Sequence, residues 1–347
     1  MAGEQQPTFK QAESFARYTH TPLGMLFLPE PPEERMPVPD FRTRGRREAF
    51  GRPSPNLLDT IYACEARQEW YRAYALRNDF EPLDFVGSLD VSPPGAAAEV
   101  IRRRLDFSLE ARQEFRTWTE ALREMIDRTE DIGVLVMING VVGNNTHRRL
   151  DPDEFGGFAL VDRHAPLVFV NGADTKAAQI FTLAHELAHI WVGQSAVSNS
   201  AVAVIDADEA AEEWCNQVAA ELLVPAASLA ERFVRDAEIH DELQRLARFY
   251  KVSTLVVLRR LFDGGLVGWD AYQEAYEGEL ERIRDHEPTS SGGNFYATQP
   301  LRSSHRFTKA LIGDTLSGRT LYREAFGLLG VKNSQTFHEL GERLGIE

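Results

Sequence analysis

Strand-like patterning in this chain is gathered into one stretch, and that distribution limits what it can fold into. GVLVMIN at 133–139, GFALVD at 157–162 and PLVFVN at 166–171 are short apolar runs rich in β-branched and aromatic residues. The link between the last two, Arg163-His164-Ala165, is short enough for a hairpin. Helical spacing governs the chain on both sides. One small sheet set among many helices predicts an α+β fold that is mainly helical.

A short helical pattern covers 7–28, and a strap with five prolines at 29–41 favours extended geometry. Leu57, Leu58, Ile61, Tyr62, Trp70 and Tyr74 place a helix over 56–82. Val100, Leu105, Phe115, Trp118, Leu122 and Ile126 place one or two more over 94–128. Beyond the strands, Asp174 is the expected N-cap of a helix over 175–192 that ends near Gly193. Another helix runs from Asp208 to Leu223 and stops at Pro225. ELQRLARFY and STLVVLRRLF, within 238–262, read as two short helices around the turn Lys251-Val252. A charged stretch at about 270–287 and the linker PTSSGG at 288–293 lead to a helical tail with several basic residues. The expected units are 1–45, a helical piece with the proline strap; 46–130, helical; 131–265, the α+β core; 266–293, a charged linker; and 294–347, a C-terminal helical unit.

The net charge of −15 argues against a general phosphate-binding surface, so direct nucleic-acid binding is not expected. Two cysteines, Cys64 and Cys215, do not make a disulfide framework and suit a reducing compartment. The N-terminal MAGEQQPTFKQAESF lacks the apolar segment of a secretory signal, and no run approaches the ~20 apolar residues of a membrane span. The expectation is a cytoplasmic protein with no membrane partner.

The strongest chemical signal is His185-Glu186-Leu187-Ala188-His189, an HExxH pattern on a helix. Residues four apart share one helix face, so both imidazoles can reach a single metal ion. Glu186 projects beside that ion without ligating it. Catalytic zinc needs three protein ligands and an open position. It lowers the pKa of its water to roughly 7, and Glu186 is placed to take the proton and pass it to a leaving amine. The apolar stripe Ala177, Phe181, Ala184, Ala188 and Trp191 supports the helix. The competing reading is two histidines satisfied on a buried face.

A third ligand is expected from the following helix, with Glu209, Glu212, Glu213 and Glu221 as candidates. The apolar face runs through Cys215, Val218, Ala219 and Leu222, and Glu212 lies one turn before Cys215 and Asn216. The pattern favours Glu212 over Glu213, although a solvated helix charge is the common fate of any glutamate. Cys215 reads as a buried thiol rather than a ligand. His147 and His164 lie near the strands, where they could face an oxyanion or be ordinary loop residues. His20, His240, His286, His305 and His338 have no ligand spacing. PLVFVN could pair with an extended substrate by strand addition, or serve only as a core strand.

PLVFVNGADTKAAQIFTLAHELAHIWVG at 166–193, together with EWCNQVAAELLVP at 213–225, resembles the ImmA/IrrE family of zinc metallopeptidases. The resemblance is strong over roughly 130–262 and weaker on either side. It implies a minimal zincin-like core and a Zn2+ ion held by His185, His189 and an acid at the head of the second helix. That acid maps onto Glu212, and Glu186 maps onto the catalytic base. The implied activity is endopeptidase cleavage of a specific regulatory protein, a DNA-binding repressor or a toxin or antitoxin partner encoded nearby. PTFKQAESFARYTHTPLGMLFLPEPPEERMPVPDFRT resembles the tail of an Xre-type helix-turn-helix domain and its linker. The earlier helices of such a domain are missing: either the gene start lies upstream or DNA binding was lost. The paired helices within 238–262 also have a helix-turn-helix cadence, but are expected to support the peptidase domain. The rival expectation is an antitoxin-like binding protein whose metal site is vestigial or structural.

Overall fold

Capping residues divide the N-terminal half into its helices. The structure, a computed structural model, describes residues 7–18, 23–30, 53–89, 93–198, 207–285 and 301–346. Helix α1 (Phe9–Tyr18) is followed by a 3-10 turn at Leu23–Phe27; the proline strap at 29–41 lies almost entirely outside the described residues. In α2 (Pro55–Arg77), Ser54 accepts the Leu57 N–H and Pro55 takes the first helical position. Ser54 is itself fixed by the buried Glu154 carboxyl, which accepts from its N–H at 2.8 Å and its Oγ at 2.7 Å. The helix ends five residues before the expected 82, because Asn78 and the positive-φ Asp79 close it. The expected one or two helices over 94–128 are three: α3 (Pro94–Leu105), α4 (Leu109–Glu114) and α5 (Trp118–Asp131). Ser108 and Thr117 interrupt the pattern by capping α4 and α5.

The strands are β1 (Leu135–Asn139), β2 (Val141–Val142), β3 (Asn145–Arg149), β4 (Gly157–Leu160), β5 (Leu167–Asn171) and β6 (Ala196–Ser198). One sheet has the order β1-β5-β4-β6, and β2 and β3 form a separate antiparallel pair. The expected hairpin is present: β4 runs antiparallel to β5, with Phe158 opposite Phe169. β1 lies parallel to β5, and β6 pairs antiparallel with β4.

Alternation along these strands layers the molecule. Val136, Val168, Val170 and Ala159 face one hydrophobic cluster; Leu135, Met137, Leu167, Phe169, Phe158 and Leu160 face another. Both faces are buried, which is why the strands read as continuous apolar runs. The valine and alanine face is shallow and admits helix α6 (Lys176–Val192). On the opposite face, Phe158 stacks on Phe169 with ring centroids 4.9 Å apart.

Helix α7 (Ala207–Leu223) packs on α6, and α8 (Ala226–Arg232), α9 (Ile239–Tyr250) and α10 (Thr254–Asp263) follow. Lys251 adopts the left-handed conformation at the turn between α9 and α10. The stretch expected to be a charged linker instead forms α11 (Trp269–Asp285), whose Ala275 and Glu279 are buried. The tail forms α12 (His305–Leu316), α13 (Tyr322–Leu329) and α14 (Ser334–Arg343). Their Phe307, Leu311, Ala325, Leu329, Phe337 and Leu340 share one cluster with α2 and the aromatic face of the sheet. Among the described residues, no helix is long and apolar enough to cross a membrane.

Candidate metal centre

Helix α6 is anchored at both ends. Its N-cap is Thr175, whose Oγ1 accepts the Ala178 N–H at 3.2 Å. Asp174, the expected cap, stands one residue earlier and accepts the Thr175 N–H at 2.7 Å. At the other end Gly193 has φ 81°, and its N–H donates to the His189 carbonyl at 3.0 Å. Gly87 and Leu89 donate to the Ile190 and Trp191 carbonyls, both at 3.1 Å. From Thr182 to Trp191 every residue of α6 is buried. A helix apolar on nearly all sides lies in the centre of a domain.

Helix α7 is held by its C-terminal carbonyls. Arg102 donates to Glu221 at 2.7 Å, Arg112 to Leu223 at 2.7 Å, and Arg260 to Val224 at 3.1 Å. Three arginines from three helices thus meet the groups that a helix end leaves unsatisfied, where cations are also favoured by the helix dipole.

With both helices fixed, three side chains converge. His185 Nε2 and His189 Nε2 are 3.1 Å apart. Glu212 Oε1 lies 3.0 Å from the first, and Glu212 Oε2 lies 3.1 Å from the second. Ligands at zinc distances of 2.0–2.1 Å span tetrahedral edges of about 3.3 Å. The separations between the two ring nitrogens and the two carboxylate oxygens are close to that length, so one ion could be reached by all three side chains. Two imidazoles and one carboxylate are a donor set suited to a divalent transition-metal ion.

The electrostatics agree with this arrangement. Burial works against a charged Glu212, but His185 and His189 outweigh it and hold the carboxyl well below the ordinary range. Burial also disfavours a charged His185, yet Glu212 leaves that ring more basic than usual. His189 is shifted the other way, chiefly by burial. The site therefore presents a carboxylate to any cation between the rings.

Glu186 is buried beside this triangle, next to β4. A Cβ at Gly157 would meet Phe169 O and Thr182 Cγ2 at 2.6 Å and Glu186 Oε1 at 3.2 Å. Only a residue without a side chain lets β4 approach α6 at this level. The Gly156-Gly157 pair that opens β4 was the available signal for this contact.

The remaining candidates fall elsewhere. Glu213 is exposed and accepts from Gln217, and Glu221 pairs with Arg260. The Glu209 side chain lies outside the described residues. Cys215 is buried, and burial pushes its thiol far up. His147 is exposed on β3, while His164 lies in the β4–β5 turn beside a pocket with Tyr71, Phe80 and Arg306. His240 pairs with Glu279, and His305 and His338 lie in the tail helices. His20 and His286 lie outside the described residues. β5 is not available for strand addition: β1 occupies one of its edges and β4 the other.

Residues 129–262 match the IrrE N-terminal-like domain of the Peptidase_M78 family. This IrrE-like segment carries the whole His185–His189–Glu212 triangle and Glu186. It begins inside α5 and ends inside α10, so it also includes the sheet. A second match, to a domain of unknown function (DUF8813), covers 303–343, the three helices of the tail. No curated protein and no solved structure matches the chain.

Proposed function

We propose that the chain is a zinc-dependent endopeptidase that cuts a specific regulatory protein in the cytoplasm. The observation that carries this reading is the triangle of His185, His189 and Glu212 with Glu186 buried beside it, inside a segment similar to a peptidase family. Zinc held by the three side chains would supply a Lewis acid and a water acidified to near neutral pH. Glu186 would take the proton of the attacking water and deliver it to the leaving amide nitrogen as the C–N bond breaks. Burial around Glu186 keeps bulk water from competing for that proton.

The substrate class we infer is a DNA-binding repressor, or a toxin or antitoxin partner encoded nearby. One observation favours the rival, an antitoxin-like binding protein with a vestigial metal site. The outer edge of β4, beside Glu186, is already covered by β6. An extended substrate would have to displace β6 or pair outside it.

Incubation of the zinc-loaded chain with casein and with the regulator encoded beside it separates these readings. The endopeptidase reading expects the regulator to be cut at one or a few sites, casein to be largely spared, and Glu186→Gln to keep zinc but lose cleavage. Cleavage of neither protein would favour the binding protein.

A further inference from the structure

A histidine that ligates through Nε2 carries its proton on Nδ1, and that N–H needs an acceptor to hold the ring in one tautomer and one orientation. His185 directs Nε2 at His189 and Glu212. Its Nδ1 is shut off from solvent and makes no regular hydrogen bond. Water does not reach it, so the acceptor must come from the protein.

Asn216 meets that requirement. It lies one turn beyond Glu212 on α7, on the same helix face. Its Oδ1 is also shut off from solvent and likewise makes no regular hydrogen bond. The Asn216 side chain lies beside the His185 ring. Asparagine is a poor helix former, and its neighbours Cys215, Val218 and Ala219 are fully buried apolar residues. An amide whose oxygen is hidden at this position is costly unless that oxygen is used.

We propose that Asn216 is the positioning residue of the metal centre, accepting the Nδ1–H of His185 through Oδ1 and so aiming Nε2 at the metal. One helix then sets both ends of the same ring: Glu212 meets Nε2 and Asn216 meets Nδ1. The inference rests on the metallopeptidase reading, but its test needs no substrate.

Zinc affinity is measured by competition with a chromophoric chelator for wild type, Asn216→Ala, Asn216→Asp and Glu212→Ala. Both substitutions at 216 remove the amide, but only Asp keeps an acceptor. Asn216→Ala should weaken zinc binding roughly tenfold to a hundredfold, and Asn216→Asp should hold wild-type affinity or exceed it. Nitrogen-15 NMR of the zinc-loaded protein should show His185 protonated at Nδ1, with its proton shifted downfield in wild type and Asn216→Asp and not in Asn216→Ala. Asn216→Ala binding zinc within twofold of wild type would overturn the proposal, as would equal losses in Ala and Asp. If those results came with zinc loss in Glu212→Ala, the metal centre would stand and only the role of Asn216 would fall. No zinc uptake by wild type would overturn both.

Discussion

The guanidinium of Arg112 donates to the Leu223 carbonyl at 2.7 Å, in the interior, at the C-terminal end of the helix that bears Glu212. Arg112 is only 1% exposed, and burial pulls its pKa down to about 9. It also donates to the carbonyls of Leu222 and Tyr250, at 3.3 and 3.4 Å. A methionine would fill the space but remove this donor from the Leu223 and Tyr250 carbonyls. Arg112→Met should therefore destabilise the protein by about 2–4 kcal/mol, read as a shift in urea midpoint at unchanged slope. The zinc affinity of the folded fraction should also fall, because α7 loses its anchor.

Gly157 gives a second prediction. A methyl group there would sit 2.6 Å from the Phe169 carbonyl of β5 and from Thr182 Cγ2 of α6, so β4 must shift against both. Gly157→Ala should cost about 1–3 kcal/mol of stability. It should reduce proteolysis far more than zinc binding, because Glu186, the proposed general base, lies beside it. Metal content and cleavage measured on one preparation check this.

The metal motif was legible because helical geometry alone places His185 and His189 on one face. The apolar stripe through Cys215 and Val218 marks the inward side of α7 and so singles out Glu212. The β4–β5 hairpin followed from two apolar runs and a short link. The sequence did not disclose that β1 joins β5 in parallel, which leaves PLVFVN without a free edge. A parallel pairing is set by the tertiary path and leaves no turn signature. Helix α11 was hidden by its charge, since its buried face includes Glu279, which pairs with His240. The arginines around the end of α7 were also invisible, because carbonyl groups that need donors have no residue identity.

Glu130 ties the end of α5 to the start of α12, accepting from Ser304 Oγ at 2.5 Å and from the Arg306 N–H at 3.2 Å. Burial pushes its carboxyl up to about 7, against hydrogen bonds that pull it down. The folded state therefore holds this proton more tightly than the unfolded chain, whose value is near 4.5. The stability tied to that proton is present in full below pH 4.5 and is lost as pH rises through 7. The loss should reach up to about 3 kcal/mol. Denaturant titrations at pH 5 and pH 8 should show it in wild type, and Glu130→Gln should reduce the difference by that amount.

DNA binding through the α9–α10 pair should be weak. Arg259 of α10 is taken by Asp263 at 2.9 Å, and Arg260 is taken by Glu221 and the Val224 carbonyl. With a net charge of −15, little remains to hold phosphates. Fluorescence anisotropy on promoter fragments at physiological salt should show no nanomolar, sequence-specific complex.

Elemental analysis of zinc in the purified chain and its variants tests the central claim most directly. About one zinc per chain is expected, lost in His185→Ala, His189→Ala and Glu212→Ala, and kept in Glu213→Ala and Glu186→Gln. Protein that takes up no zinc on titration would contradict the account. So would zinc that survives Glu212→Ala but disappears in Glu213→Ala.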